Sequence, residues 1–587
     1  MLYRELVRVY EALESTTSRL EMTEILANFF KEADCSSLRK IIYLTQGQLY
    51  PDFYPQKLGI ADKLLLRAIS FTSGVKEQII QDLLVKEGDP GNVAQKIFQE
   101  KKQTTLFSTP LTLERVYDNL RRIAEAEGSG SQDLKIKMLA DILHDASPIE
   151  SKYIARIVTG KMRLGVADMT VLDALAQAFV GKDERDVIER AFNITSDLGL
   201  VGEILCSEGV EALRKIRVSV GNPIRAMLAE RLSSPEEILE KMGGRCAFEY
   251  KYDGVRIQAH IDSQKKIKLF SRRLEDITDQ FPDVVSALRE AFVSKDVIIE
   301  GECVPVDINT GEMLPFQEVS HRRGRKYDLS VAIEDYPVRT FLFDCLYLDG
   351  VDLTESPFLE RRKALEKCIR PSEDVRLSEI RILDRVEDVE RFFEEALKDG
   401  CEGLMAKSIG EDSIYRAGAR GFLWIKYKKE YRSEMSDTVD LVVVGAFAGR
   451  GRRKGVYGAL LMATYNDKED SFETVCKLGS GFDDATLAAL PSMLEPYKLQ
   501  RMHPKVRSKL EADYWFEPAL VMEVLGSEIT LSPTHTCSYS LIKKDAGLAI
   551  RFPRFTGRFR SDKDPREATT SIELVEMYKR QLKKIEE

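Results

Sequence analysis

The sequence predicts a multi-domain chain in three parts: an all-α domain over residues 1–217, an α+β domain over 218–429, and a small antiparallel β-barrel over 430–587 that closes with a helix. Three observations predict it. At 587 residues the chain is several times what one hydrophobic core organises, so about three to four domains follow from roughly 150 residues each. The apolar period changes along the chain, from three- and four-residue spacing to two-residue alternation. Turn signals gather at the changeover, in Gly221-Asn222-Pro223-Ile224.

In the first part, Leu134, Ile136, Leu139, Ile142 and Leu143 recur as a helical face. Gly88-Asp89-Pro90-Gly91 and Gly128-Ser129-Gly130-Ser131 mark turns between helices. The middle part carries short runs rich in Val, Ile, Phe and Tyr, mixed with helices such as 283–292. In the last part, the β runs 440–447, 459–465 and 519–524 suggest the barrel, and 571–585 the closing charged helix. The chain shows neither internal repeats nor low-complexity tracts.

Composition removes several classes. With 43% hydrophobic and 31% charged residues, 36 Gly and 20 Pro, the chain is neither collagen-like nor largely disordered. No apolar run approaches the roughly 18 residues of a membrane span, and Met1-Leu2-Tyr3-Arg4-Glu5 places charges where a signal peptide needs apolar residues. A cytoplasmic protein with no membrane partner is expected. Nine dispersed cysteines without a Cys-x-x-Cys pair indicate neither a disulfide framework nor a zinc module. The net charge of −9 means that attraction to a polyanion must come from local basic patches.

The phosphate-binding pattern Gly-x-x-x-x-Gly-Lys-Ser/Thr is absent, so nucleotide chemistry must be built otherwise. In Phe248-Glu249-Tyr250-Lys251-Tyr252-Asp253-Gly254-Val255-Arg256, alternation puts Glu249, Lys251 and Asp253 on one strand face and the aromatics on the other. A lysine thus stands between two carboxylates just before a glycine turn. Alone this reads as an exposed, salt-bridged strand face, and the motif is weak. It is followed, in order, by Ser271-Arg272, Glu300-Gly301-Glu302, Phe341-Leu342-Phe343-Asp344, Glu402-Gly403-Leu404-Met405-Ala406-Lys407 and Trp424-Ile425-Lys426-Tyr427-Lys428. This series resembles the covalent nucleotidyltransferase superfamily of ATP-dependent DNA ligases, RNA ligases and mRNA capping enzymes.

The resemblance continues outside the core. Asp440-Leu441-Val442-Val443-Val444-Gly445, Gly455-Val456-Tyr457-Gly458, Lys477-Leu478-Gly479-Ser480-Gly481-Phe482, Arg551-Phe552-Pro553-Arg554-Phe555 and Arg560-Ser561-Asp562-Lys563 resemble the oligonucleotide-binding-fold (OB-fold) domain of cellular DNA ligases. Met162-Arg163-Leu164-Gly165-Val166-Ala167, Thr170-Val171-Leu172-Asp173-Ala174 and Pro223-Ile224-Arg225-Ala226-Met227-Leu228-Ala229 resemble their helical DNA-binding domain. The layout is similar to archaeal replicative ATP-dependent DNA ligases. It implies a helical DNA-binding domain, an adenylation (nucleotidyltransferase) domain and an OB-fold domain with a C-terminal helix.

For the chemistry, the resemblance assigns the nucleophile to Lys251, whose amine attacks the α-phosphate of ATP to give lysyl-AMP. Free lysine is almost wholly protonated at neutral pH, so the site must favour the amine, helped by Lys426, Lys428 and a metal cation. Glu249 can accept from the exocyclic amine of adenine where guanine offers a carbonyl, a reason for ATP over GTP. Phe343 either stacks on the base or is plain core. Arg256 and Arg272 match positions at ribose and phosphate, and Arg420 joins the implied nucleotide-binding set. Lys426 and Lys428 would hold phosphates, while Arg554, Arg560 and Lys563 would close over ATP and orient pyrophosphate. Glu302 and Glu402 are the implied ligands of a divalent metal, Mg2+ or another such as Mn2+. Ideal alternation sets Lys407 opposite Glu402 unless a bulge intervenes.

The implied substrate is nicked double-stranded DNA, contacted through its backbone so that any sequence can be sealed in replication, repair and recombination. Lys161 and Arg163 are candidate phosphate contacts. Arg322-Arg323-Gly324-Arg325-Lys326 and Arg450-Gly451-Arg452-Arg453-Lys454 are either DNA-facing loops or solvated turns. Gln103-Thr104-Thr105-Leu106-Phe107 either resembles a shortened sliding-clamp box, with Gln103, Leu106 and Phe107 as anchors, or packs into its own domain. A nucleoid-associated monomer is expected. An RNA ligase or a GTP-using capping enzyme shares the core, and a non-catalytic nick-binding clamp shares the layout. The helical front domain argues against the first two, and the presence of every expected chemical residue against the third.

Overall fold

The computed structural model describes residues 1–56, 58, 60–100, 109–128, 130–306, 313–314, 337–428, 438–449, 455–526 and 528–586, with the side chains of residues 182, 528 and 581–586 left aside. They form two compact units: Met1–Arg231 with Pro235–Lys426, and Leu232–Ser234 with Tyr427–Glu587.

The first unit begins with thirteen α-helices among the described residues, from Tyr3–Glu14 to Val210–Arg214. The turn at Gly88-Asp89-Pro90-Gly91 shows why the chain breaks where it does. Gly88 takes φ +62° to end the helix Glu77–Glu87, Asp89 accepts from the Gly91 amide, and Pro90 opens the helix Pro90–Gln99. Ile136, Leu139, Ile142 and Leu143 are buried, as their spacing predicts, but Leu134 is exposed. Two residues before Ile136 is roughly 200° around a helix, off the stripe.

The helical bundle corrects one sequence expectation: Cys35 and Cys206 form a disulfide, with Cα atoms 5.4 Å apart. Their 171-residue separation made the pair invisible to local spacing. The seven other cysteines are free and buried. Arg156, nearly free of solvent, is gripped by Asp89 and Glu14, its Nη2 2.7 Å from Asp89 Oδ2 and 3.0 Å from Glu14 Oε1.

The same unit continues as two mainly antiparallel sheets. One has the order β1 (Leu228–Arg231), β11 (Arg420–Lys428), β10 (Gly403–Lys407), β2 (Cys246–Lys251), β9 (Ile380–Leu383). The other runs β4 (Ile267–Ser271), β3 (Val255–Ile261), β5 (Val297–Pro305), β6 (Val338–Leu348), β7 (Val351–Asp352), with β8 (Val375–Leu377) parallel to β6. The helix Pro282–Ala291 lies one residue before its expected place, and its core joins Ile257, Leu269 and Val297 from the second sheet. Helices Phe358–Cys368 and Val386–Lys398 complete the α+β fold.

In the second unit, β12 (Val439–Ala448), β13 (Tyr457–Asn466), β14 (Ser471–Leu478) and the strands Val521–Leu525 and Arg554–Phe559 carry the barrel. β12 pairs with β13 and with Val521–Leu525, β13 with β14, and Val521–Leu525 with Arg554–Phe559. A bridge from Ser480 to Arg554 joins the end of β14 to the last of these strands and closes the circuit. The helix Asp484–Leu494 lies between β14 and Val521–Leu525 in the chain, giving the OB-fold order. The closing helix Ser571–Glu586 buries Leu574 and Val575 in the barrel core. Among the described residues no helix is long and apolar enough to cross a membrane.

Candidate active site

β2 delivers Glu249 and Lys251 side by side, and the turn after it reverses the chain into β3. Gly254 is required there by close approach, because a Cβ would lie 2.3 Å from the carbonyl oxygen of Cys303. Lys251, half-buried at the strand end, donates to Glu402. The Glu402 amide in turn donates to the Lys251 carbonyl at 2.8 Å, and Gly403 stands opposite Lys251 in register. Glu402 thus holds the lysine itself, a partnership that the expected metal role did not foresee.

β3 and β5 add the next layer. Arg256 stands opposite Glu302 in register, and its Nη2 donates to Glu300 Oε2 at 2.8 Å. Nη1 donates to the Met227 carbonyl, while the Nε–H is buried with no acceptor among the described residues. The guanidinium lies over the rings of Phe343 and Trp424, at 5.4 and 5.5 Å. Burial pushes the Glu302 carboxyl up to about 7, and the nearby charges of Glu402 and Asp253 add to the rise against the pull of Lys251 and Arg256.

The exposed strand face that the motif alone allowed is not found at Glu249. Instead of a solvated charge, Glu249 is 2% exposed. Oε1 accepts from Arg362 Nη1 at 3.2 Å and from Ser378 Oγ at 3.0 Å, and Oε2 lies 2.5 Å from Lys407 Nζ. Residues 246–250 of β2 are buried on both faces of the strand, so a charge there persists only when paired. Lys407 is also corrected: Glu402 lies outside β10, so alternation counted from it does not govern the lysine, which is a diagonal neighbour of Glu249 across β10 and β2. Phe343 on β6 is half-buried, with one edge toward Trp424.

Other expected residues lie as follows. Arg272 is exposed and lines a cleft with Asp52, Arg225, Leu228 and Gly418. Arg420 is exposed at the start of β11, and Lys426 and Lys428 are half-buried on either side of buried Tyr427. Lys161 is exposed near Asp62, whereas Arg163 is folded back on the Gly88 carbonyl at 2.7 Å and on Asp89. Within the second unit, Arg560 and Lys563 converge on Asp440 Oδ2 at 2.7 and 2.6 Å, and Arg554 is exposed. Gln103, Leu106, Phe107, Arg322, Arg323 and the basic run 450–454 lie outside the described residues.

Sequence reading missed Arg362, Ser378 and Tyr415, whose hydroxyl donates to Glu300. Arg362 sits in a helix so charged that it reads as a solvated surface, and Ser378 follows a strand of three residues. No local signal marks either.

Among the described residues no group of three or more His, Cys, Asp or Glu side chains is gathered as a metal cage. Glu302 and Glu402 nevertheless fit a divalent cation such as Mg2+, which characteristically takes one or two carboxylates together with substrate phosphates. A half-buried carboxyl raised to about 7 beside like charges is one that a cation would relieve.

A lysine presented at a strand end before a glycine turn, between two sheets and followed by an OB-fold, defines a covalent nucleotidyltransferase. The comparisons specify which. The family model for the ATP dependent DNA ligase domain matches residues 226–428, that for the DNA ligase N terminus 2–176, and that for the ATP dependent DNA ligase C terminal region 453–563. DNA ligase 2 of Thermofilum pendens is 53% identical over 99% of this chain and 98% of its own length. The DNA ligase of Sulfophobococcus zilligii is 52% identical over 99% and 97%. A solved structure titled Pmar-Lig_Pre. shares the fold with a TM-score of 0.55 at 17% identity, covering 95% of this chain and 99% of that one. The chain belongs to the ATP-dependent DNA ligase family, and its activity is the ATP-driven joining of DNA.

Proposed function

We propose that Lys251 carries the adenylyl group, acting on nicked double-stranded DNA in replication, repair and recombination. The lysine Nζ attacks the α-phosphorus of ATP, an N–P bond forms, the bond to the β-phosphate oxygen breaks and pyrophosphate leaves. A DNA 5′-phosphate oxygen then displaces lysine to give a pyrophosphate-linked adenylate, and the 3′-hydroxyl displaces AMP to close the backbone. The observation that carries this reading is the contact between Lys251 and Glu402 at the mouth of the Gly254 turn, with Glu302 close enough to feel both charges.

The lysine must lose a proton before it attacks. Glu402, its hydrogen-bond partner, orients the ammonium and is the first acceptor in reach. Glu249 accepts from the adenine amine, Phe343 covers the base, and the unpaired Nε–H of Arg256 suits a ribose hydroxyl. Arg272, Arg420, Lys426 and Lys428 supply positive charge to the phosphates, and Arg554, Arg560 and Lys563 do so from the OB-fold. Glu302 and Glu402 would hold a divalent cation, which when bound neutralises phosphate charge.

Functionally the chain divides at 217 and 429. The helical part adds DNA affinity through Lys161 and Arg163 as phosphate contacts and carries Gln103, Leu106 and Phe107 as anchors for a sliding clamp, while Arg322 and Arg323 of the middle part are further phosphate contacts. The protein acts as a cytoplasmic, nucleoid-associated monomer. Incubation with α-labelled ATP, followed by denaturing electrophoresis, tests the core of this reading: the chain should be labelled and Lys251→Ala should not, whereas equal labelling of both contradicts it.

A further inference from the structure

Lys407 is 1% exposed. Besides its contact with Glu249 Oε2, its Nζ lies 3.4 Å from the carbonyl oxygen of Phe343. The rings of Phe343, Phe358 and Trp424 surround it at 4.8, 4.7 and 4.6 Å. An ammonium group so desolvated is bound strongly by every partner it keeps, since attraction rises as water is excluded. It touches both groups assigned above to the base.

We propose that Lys407 is a positioning residue for nucleotide selection, pinning the Glu249 carboxylate and the Phe343 backbone into one base-reading unit that accepts a 6-amino purine and rejects a 6-oxo purine. The proposal rests on the reading that Glu249 and Phe343 meet adenine. A carboxylate offers about four acceptor directions. Arg362, Ser378 and Lys407 occupy three of them, leaving one on Oε2. An exocyclic amine donates there, whereas a 6-oxo group brings a second acceptor against a charged oxygen. Lys407 closes the alternative as well. Its protons are directed at Glu249, Phe343 and the ring faces, so it offers nothing to a 6-oxo oxygen; freed from them, a cation at this depth would welcome one.

The test compares self-nucleotidylylation of the full chain with ATP and with inosine triphosphate, whose base carries the 6-oxo group. Lys407→Met keeps the length of the side chain among the rings but removes its charge. It should raise KM for ATP about tenfold with much less effect on kcat, and lower the ATP-over-ITP preference about tenfold. Lys407→Arg should recover part of that preference. A variant that melts earlier yet keeps the wild-type preference would make Lys407 a structural ion-pair partner only and overturn the proposal. If Lys407→Met does not fold, Ser378→Ala decides, because it frees a second acceptor direction on Glu249 by deleting one neutral donor. A preference lowered severalfold supports the proposal and an unchanged one overturns it. Glu249→Gln separates the underlying reading: if it retains the wild-type preference, Glu249 does not read the base, whatever Lys407 does.

Discussion

Glu14 and Arg156 show how one buried charge organises a domain. Burial alone would raise the Glu14 carboxyl, but donation from Arg156, Lys152 and Tyr153 outweighs it and holds the group at about 2, below its ordinary 4.5. A depressed carboxyl stabilises the fold above its unfolded pKa and loses that contribution as pH falls through the folded one. Unfolding followed by circular dichroism should therefore show stability draining between pH about 4.5 and 2. Glu14→Gln should cost about 2 kcal/mol at pH 7 and flatten that part of the curve. An unchanged acid limb would show that the pairing contributes nothing. Individual roles were legible wherever the residues are contiguous, as from Glu249 to Arg256. They were illegible where partners arrive from distant strands, as Lys407, Arg362 and Ser378 do at Glu249.

The disulfide joins the helix Cys35–Thr45 to the helix Leu198–Glu208, the third and the twelfth of the thirteen helices in chain order. In the chain-entropy account, closing so long a loop stabilises by roughly 5 kcal/mol at most. Cys206→Ser, or a reductant, should lower the melting temperature of the helical part, and no shift would mean that packing alone holds these helices. In the barrel, Arg560 and Lys563 meet on Asp440 at the start of β12. Their double Ala variant should lose self-adenylylation yet retain much of its sealing of a chemically pre-adenylylated nick, because the β- and γ-phosphates have left by then. Equal loss of both reactions at an unchanged melting temperature would assign the pair to DNA instead. Strand and helix types followed from hydrophobic period, but barrel closure did not, since the Ser480–Arg554 bridge is a tertiary contact.

Across the whole molecule the balance of −9 leaves DNA affinity to particular surfaces. The segment after residue 217 belongs physically to the adenylation core: the Gly221 amide donates to His260, and the Ile224 amide to Gln258. A fragment beginning at 218 should thus retain lysyl-AMP formation while binding nicked duplex far more weakly, with a shallower salt dependence. Equal nick affinity for fragment and full chain would remove the helical domain from DNA binding. One lysine among the many in this chain carries the nucleotide. Proteolysis of the ATP-treated protein and mass spectrometry of its peptides should find AMP on Lys251 alone; AMP on any other residue, with Lys251 unmodified, would overturn the assignment.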